Sequence, residues 1–151
     1  MNILGTLVAL LLVAGQPAAR PNFSGEWKMN AAKSDFSVLP PPASITRTIT
    51  HAEPALTIVE AQKSDLGDQN TTRKYVTDGT GVTFNVNGAD VKSSAKWEDA
   101  TTLLVVSTVD AVGLSYHDKM TLSPDGKMLV SQIHISSPQG DVDITVAFDK
   151  Q

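Results

Sequence analysis

Tyr116 and Asp118 stand two residues apart in one β-like run, and Gln132 and His134 two apart in the next, so each pair shares a face of its strand. Turned into one pocket, a phenol, a carboxyl, an amide and an imidazole would orient a polar group of a ligand. With Asp118 or His134 as general acid or base and Tyr116 as hydrogen-bond donor, the set would also suit proton transfer, although no nucleophile or oxyanion-binding motif accompanies it. A third reading is that the four satisfy one another or ordered water, as buried polar groups do. Arg47 alternates with Ile45, Ile49 and His51. Pointing inward it would pair with Glu60 or bind an anionic head group; at a rim it would lay its stem on apolar surface and keep its charge in water. Arg73 and Tyr75, within Arg73-Lys74-Tyr75, pose the same choice between a ligand-facing and a solvated strand face.

Metal and cofactor chemistry has little to work with. The three histidines, His51, His117 and His134, make no His-x-His or His-x-x-x-His spacing, and there is no cysteine. A phosphate loop, a dinucleotide fingerprint, a Gly-x-Ser-x-Gly elbow and a HExxH sequence are all absent. Neither a metal nor a cofactor is expected.

The elements that must position these side chains are strands. From residue 22 onward there is no useful helical periodicity; β-branched and alternating runs are interrupted by Gly, Pro, Asp and Asn every eight to twelve residues or so. The spacing predicts about ten strands, at residues 22–29, 44–51, 55–61, 69–77, 82–87, 91–98, 101–109, 112–122, 128–137 and 141–149. Nearly every connection is short enough for a hairpin, among them Asp78-Gly79, Asn87-Gly88, Ser123-Pro124-Asp125-Gly126 and Ser137-Pro138-Gln139-Gly140. Consecutive hairpins make a meander, and closing a meander removes its edges. The expected fold is all-β, a single up-and-down antiparallel barrel of about 8–10 strands. The long irregular stretch at residues 30–43, with Pro40, Pro41 and Pro42, would cap or cross one barrel mouth.

Which residues face inward depends on the two Ser-Pro-x-Gly turns. Read as three-residue loops with a bulge at glycine, they oppose Ser123 to Lys127 and Ser137 to Asp141. Tyr116 then faces His134 and Asp118 faces Gln132, all on the surface that also carries Leu114, Met120, Leu122, Met128, Val130, Val142 and Phe148. Both hairpins agree on this register, and it is the one expected, although it turns Leu129, Ile133 and Ile135 outward. A two-residue turn at Asp125-Gly126 points those three inward and sets His134 against His117 on the outside.

At 151 residues the chain is one domain's worth. Residues 1–19 carry no charged side chain, and a run of about a dozen apolar residues from Ile3 is too short to span a bilayer as a helix. Small residues follow it, so 1–19 reads as a signal peptide and 20–151 as the barrel domain, secreted or periplasmic. No disulfide framework is available. The formal net charge is −4, with no basic block, which speaks against a nucleic-acid partner. Lys92, Lys96, Glu98, Lys119 and Asp143 alternate along the outer faces, so after signal cleavage no insertion into a membrane is expected.

Phe23-Ser24-Gly25-Glu26-Trp27-Lys28 opens the first strand. Here the chain resembles the calycin superfamily, in which a Gly-x-Trp on the first strand packs its indole across the closed end of the barrel. The resemblance implies structural roles for Gly25, as a close backbone approach, and Trp27, as a large buried surface. Residues 22–42, Trp97, Leu122-Ser123-Pro124-Asp125-Gly126-Lys127 and the closing Phe148-Asp149-Lys150-Gln151 also look like a group of lipocalin-like proteins secreted by soil bacteria. That likeness covers the whole mature chain and implies a lipocalin or fatty-acid-binding-protein-like barrel. The Arg-x-Tyr with which intracellular fatty-acid-binding proteins hold a carboxylate on their last strands is missing, since this chain ends Ile144-Thr145-Val146-Ala147-Phe148.

The expected function is to bind or carry a small apolar or amphipathic ligand, which requires an interior cavity of a few hundred cubic ångströms or so. Two alternatives stand beside it. One is a packed structural or interaction barrel without a ligand, and the other an enzyme using the interior Tyr116, Asp118 and His134.

Overall fold

A computed structural model describes residues 19–151. Ten strands follow one another: β1 (Gly25–Met29), β2 (Ser44–Ala52), β3 (Ala55–Lys63), β4 (Gln69–Val76), β5 (Val82–Val86), β6 (Ala89–Trp97), β7 (Leu103–Val109), β8 (Leu114–Leu122), β9 (Met128–Ser137) and β10 (Gly140–Lys150). Every expected strand is present, with ends within a few residues of those read from the sequence. The segment read as an export signal lies, apart from Ala19, outside the described residues.

All neighbours pair antiparallel, in the order β4-β3-β2-β1-β10-β9-β8-β7-β6-β5. The first strand therefore joins the last, and β4 and β5, consecutive in sequence, end up at the two edges. Tyr75 on β4 meets Phe84 on β5 edge to face, with ring centroids 6.2 Å apart, and Asp78 bridges to Lys96 just past β4. These contacts draw the edges together into a nearly closed barrel, which is how the all-β expectation is met. Alternation sets the lining: along β2, Ile45, Arg47, Ile49 and His51 are buried while the threonines between them are exposed.

The two ends of the barrel differ. Where the β2–β3, β6–β7 and β8–β9 turns lie, Phe23, Trp27, Leu56, Leu103, Met120 and Phe148 form a fully buried layer. Trp27 is 1% exposed, and its indole N–H donates to the Phe23 carbonyl at 2.9 Å. Gly25, at φ +143°, lies so close to the last strand that an added Cβ would stand 2.9 Å from Lys150 Cε, while the Lys150 ammonium sits 5.5 Å from the Trp27 ring. At the opposite end the residue 30–43 segment crosses the mouth. It is tied down by Asp35, which exchanges two 2.8 Å backbone hydrogen bonds with Thr145.

The expected register is corrected on β9. Tyr116 pairs with Ile135, Asp118 with Ile133, and His117 with His134; on the other side His134 pairs with Asp143 and Gln132 with Thr145. β8 and β10 face as expected, and β9 alone is turned over. The cause lies in the turn. Asp125 Oδ1 accepts from the Ser123 hydroxyl at 2.6 Å and from the Lys127 N–H at 3.0 Å, so Lys127 is withdrawn from the ladder and the strands close on Ser123 and Met128. In the second hairpin Ser137 pairs directly with Gly140. The outcome buries Leu129, turns Ile133 and Ile135 to the cavity, and sends Met128 and Val130, expected inside, to the outer face with Gln132 and His134. Three large aliphatics gained against two apolar side chains and two polar ones lost is the exchange the hydrophobic effect favours.

Candidate ligand-binding site

Between the packed end and the mouth lies a cavity of about 440 Å³. Its apolar wall comes from Phe84, Val91, Val105, Ile133, Ile144 and Val146, and Phe36, Leu39, Pro40 and Pro42 of the crossing segment border its opening. Its polar side is made by Arg47, Glu60, Arg73, Tyr116 and Asp118, contributed by β2, β3, β4 and β8.

Arg47 is 5% exposed and points inward, not to a rim. Its Nε–H donates to Glu60 Oε2, its Nη1 donates to the Ser131 hydroxyl at 2.9 Å, and its guanidinium lies 4.4 Å from the centre of the Phe148 ring. Ser131, fully buried, donates in turn to Asp118 Oδ2 at 3.2 Å. Arg73 Nη2 stands 3.1 Å from Glu60 Oε2. Burial by itself would raise the Glu60 carboxyl, but the two guanidinium charges of Arg47 and Arg73 outweigh it and hold the group down at about 2. For Asp118 the balance falls the other way: burial pushes its carboxyl up despite Arg47, Ser131 and Arg73.

Four buried polar atoms in this region have no hydrogen-bond partner among the described residues: Nε and Nη2 of Arg73, the Tyr75 hydroxyl and Oδ1 of Asp118. The Arg73–Glu60 approach is thus an ion pair that misses hydrogen-bond geometry. Tyr75, 3% exposed, lies one step deeper than Arg73 on the same face of β4, and burial raises its phenol. Tyr116 is half-buried at the cavity wall, where burial likewise raises its phenol.

Of the residues read from the sequence, the structure brings together Arg47, Arg73, Tyr75, Tyr116 and Asp118. It does not bring in Gln132 and His134, which lie on the outer face of β9. There His134 Nδ1 is 2.7 Å from Asp143 Oδ1, and its ring meets His117 edge to face at 6.5 Å. The Tyr116–Asp118–His134 acid–base set is therefore not assembled. Among the described residues no three His, Cys, Asp or Glu side chains are grouped to hold a metal ion. Sequence reasoning missed Ser131; the signal for it was a lone hydroxyl alternating with Leu129, Ile133 and Ile135, visible once the β9 register is right.

A second polar cluster sits at the packed end, and there each partner is matched. His51 Nδ1 accepts from the Phe23 N–H at 3.2 Å, so its Nε2 carries the proton donated to Glu53 Oε1 at 2.9 Å. Trp97 Nε1 donates to the same oxygen at 2.8 Å and the Thr77 hydroxyl to Oε2 at 2.6 Å. Burial opposes the charge on Glu53, but these donors hold its carboxyl below the usual range. The Phe23, His51 and Trp97 rings stack above one another.

No family model matches the sequence, and no curated protein matches it significantly. Solved structures do match in fold. A secretory abundant heat soluble protein from Ramazzottius varieornatus superposes with a TM-score of 0.65 at 13% identity, over 85% of this chain and 94% of that one. Zebrafish ileal bile acid-binding protein complexed with cholic acid gives 0.60 at 16% identity, over 85% and 98%. A fatty-acid-binding protein of Schistosoma mansoni in complex with arachidonic acid gives 0.54 at 13%, over 85% and 96%. The fold is that of a calycin-like barrel. At such identities the likeness speaks for the architecture of this calycin-like barrel alone, and its chemistry rests on its own side chains.

Proposed function

We propose that this calycin-like barrel is an exported carrier that holds a small amphipathic molecule in its interior, apolar part against the Val91, Val105, Ile133 and Ile144 wall and polar end toward Arg73 and Asp118. The observation that carries the reading is an apolar cavity of about 440 Å³ beside buried polar atoms that the protein itself leaves unpaired. A packed structural barrel would have filled that volume, and unpaired buried polar atoms cost about 1–3 kcal/mol each unless something completes them. Barrels of the same fold solved in complex with cholic acid and with arachidonic acid support the reading. So does the uncharged apolar run of residues 3–14, followed by small residues, for export to the periplasm or the medium.

Native mass spectrometry of the mature protein, gently purified from the producing cells and then extracted with solvent, tests this. The expected result is a stoichiometric adduct with an apolar moiety, lost when Ile133 is replaced by a bulky Trp that fills the cavity. A clean apo mass, unchanged after exposure to a lipid and aromatic library, would overturn it.

A further inference from the structure

Arg73 has donors without acceptors. Its Nε and Nη2 are buried and make no hydrogen bond among the described residues; Nη2 comes within 3.1 Å of Glu60 Oε2 but off hydrogen-bond geometry. A guanidinium only donates. Whatever completes Arg73 must therefore bring oxygen acceptors, and two N–H groups in one plane fit the paired oxygens of a carboxylate or sulfonate. Asp118, on the same cavity, has the converse problem. Its Oδ2 receives the Ser131 hydroxyl while Oδ1 has no partner. Ionised, Oδ1 would repel an anion held by Arg73; protonated, it would donate to that anion.

The charged and titratable groups facing Asp118 are Arg47 from β2, Glu60 from β3, Arg73 and Tyr75 from β4, and Tyr116 beside it on β8; β9 offers the Ser131 hydroxyl. Two arginines and one ionised glutamate leave a single positive charge. One further anion balances it, and a second would not be neutralised.

We propose that the cavity binds an amphipathic acid, its anionic head group on the Arg73 Nε/Nη2 fork, and that each acid bound as the anion brings one proton from solvent onto the Asp118 carboxylate. The inference rests on the carrier reading and adds the class of the ligand and the proton that accompanies it. No bond other than the new Asp118 O–H forms. Burial already raises the Asp118 carboxyl, and a ligand anion beside it acts in the same direction. By linkage, affinity for the anion falls as pH rises, by up to about tenfold per pH unit between the free and bound pKa values of Asp118. Such a carrier loads in acid and releases as the medium turns alkaline.

The test is isothermal titration of the mature protein with decanesulfonate, which stays ionised throughout, and with decanol of the same chain length. Each is run in two buffers of different ionisation heat. The expected result is uptake of close to one proton per sulfonate and none with decanol. In Asp118→Asn the uptake and the pH slope disappear, and in Arg73→Met the affinity for sulfonate drops about 10- to 100-fold, to that for decanol. Sulfonate binding without proton uptake, or uptake that survives in Asp118→Asn, overturns the inference while the carrier reading stands. Failure of both probes to bind overturns the carrier reading and this inference with it.

Discussion

Both the packed end and the cavity half of the barrel set acids beside bases and hydroxyls, Glu53 on the exposed rim of the first and Glu60 and Asp118 inside the second, yet they satisfy them differently. At the packed end Glu53 receives Trp97, His51 and Thr77, and His51 receives the Phe23 N–H, so each side chain of the cluster is matched. In the cavity half Glu60 is shared by two guanidinium groups, and Arg73, Tyr75 and Asp118 keep unpaired atoms. A saturated polar cluster stabilises a fold and offers nothing to a ligand; an unsaturated one costs stability and keeps hydrogen-bonding capacity for what arrives. On the proposed reading, fold and function are divided between the two ends of one sheet.

The comparison breaks most readily at Trp27. Trp27→Ala removes a fully buried indole and its hydrogen bond to Phe23, and should lower unfolding stability by about 3–5 kcal/mol in a guanidinium titration. A loss under about 1 kcal/mol would mean that the packed end does not hold the barrel together. Next in size is Glu60→Gln, which leaves Arg47 and Arg73 without their ionised partner and should cost about 3 kcal/mol at neutral pH. The pH dependence has a definite sign. Glu60 is held at about 2, below its ordinary 4.5, so its contribution is present above 4.5 and is lost as pH falls toward 2. The parent protein should lose stability through that acid window, and Glu60→Gln should lose less.

How far this division was legible in the sequence differs from element to element. The meander, the mouth-crossing prolines and the inward faces of β8 and β10 followed from alternation and turn residues, because a period of two is a local property. The β9 face did not. It turns on whether the Lys127 N–H bonds across the ladder or to the Asp125 carboxylate, and a one-residue slip exchanges Gln132 and His134 for Ile133 and Ser131. The outward Leu129, Ile133 and Ile135 of the expected register were the warning, since three large aliphatics weigh more than the Met128 and Val130 that took their place inside. Arg47, Arg73 and Tyr75 could be named from their strands. Their convergence with Asp118 could not, because it depends on β2, β4 and β8 meeting across the barrel, which no local pattern encodes.

Asp118→Asn should act opposite in sign to Glu60→Gln. A buried acid whose carboxyl is raised stabilises the fold below its unfolded pKa and loses that contribution as pH rises through the folded value. The amide should therefore be more stable than the parent by about 1 kcal/mol in alkaline buffer, the gap closing as pH falls. Denaturant titrations at three pH values would show it; destabilisation at alkaline pH would mean that Asp118 is needed ionised by Arg47 and Arg73, and that the cavity is more nearly saturated than argued.

The smallest effect belongs outside the barrel, and it sharpens the comparison because it tests the register. His134 is bonded to Asp143 on the open face of the sheet, and that hydrogen bond, with the nearby carboxylate charges, raises its imidazole. An exposed pair is screened by solvent and salt. Asp143→Asn should return the His134 titration, followed by NMR, toward the ordinary imidazole value, as should high salt, with no measurable change in unfolding or in decanesulfonate binding. Were His134→Ala instead to abolish that binding, β9 would have to be turned back by one residue. Gln132 and His134 would then enter the cavity, Ser131 and Ile133 would leave it, and the link from Arg47 through Ser131 to Asp118 would be broken.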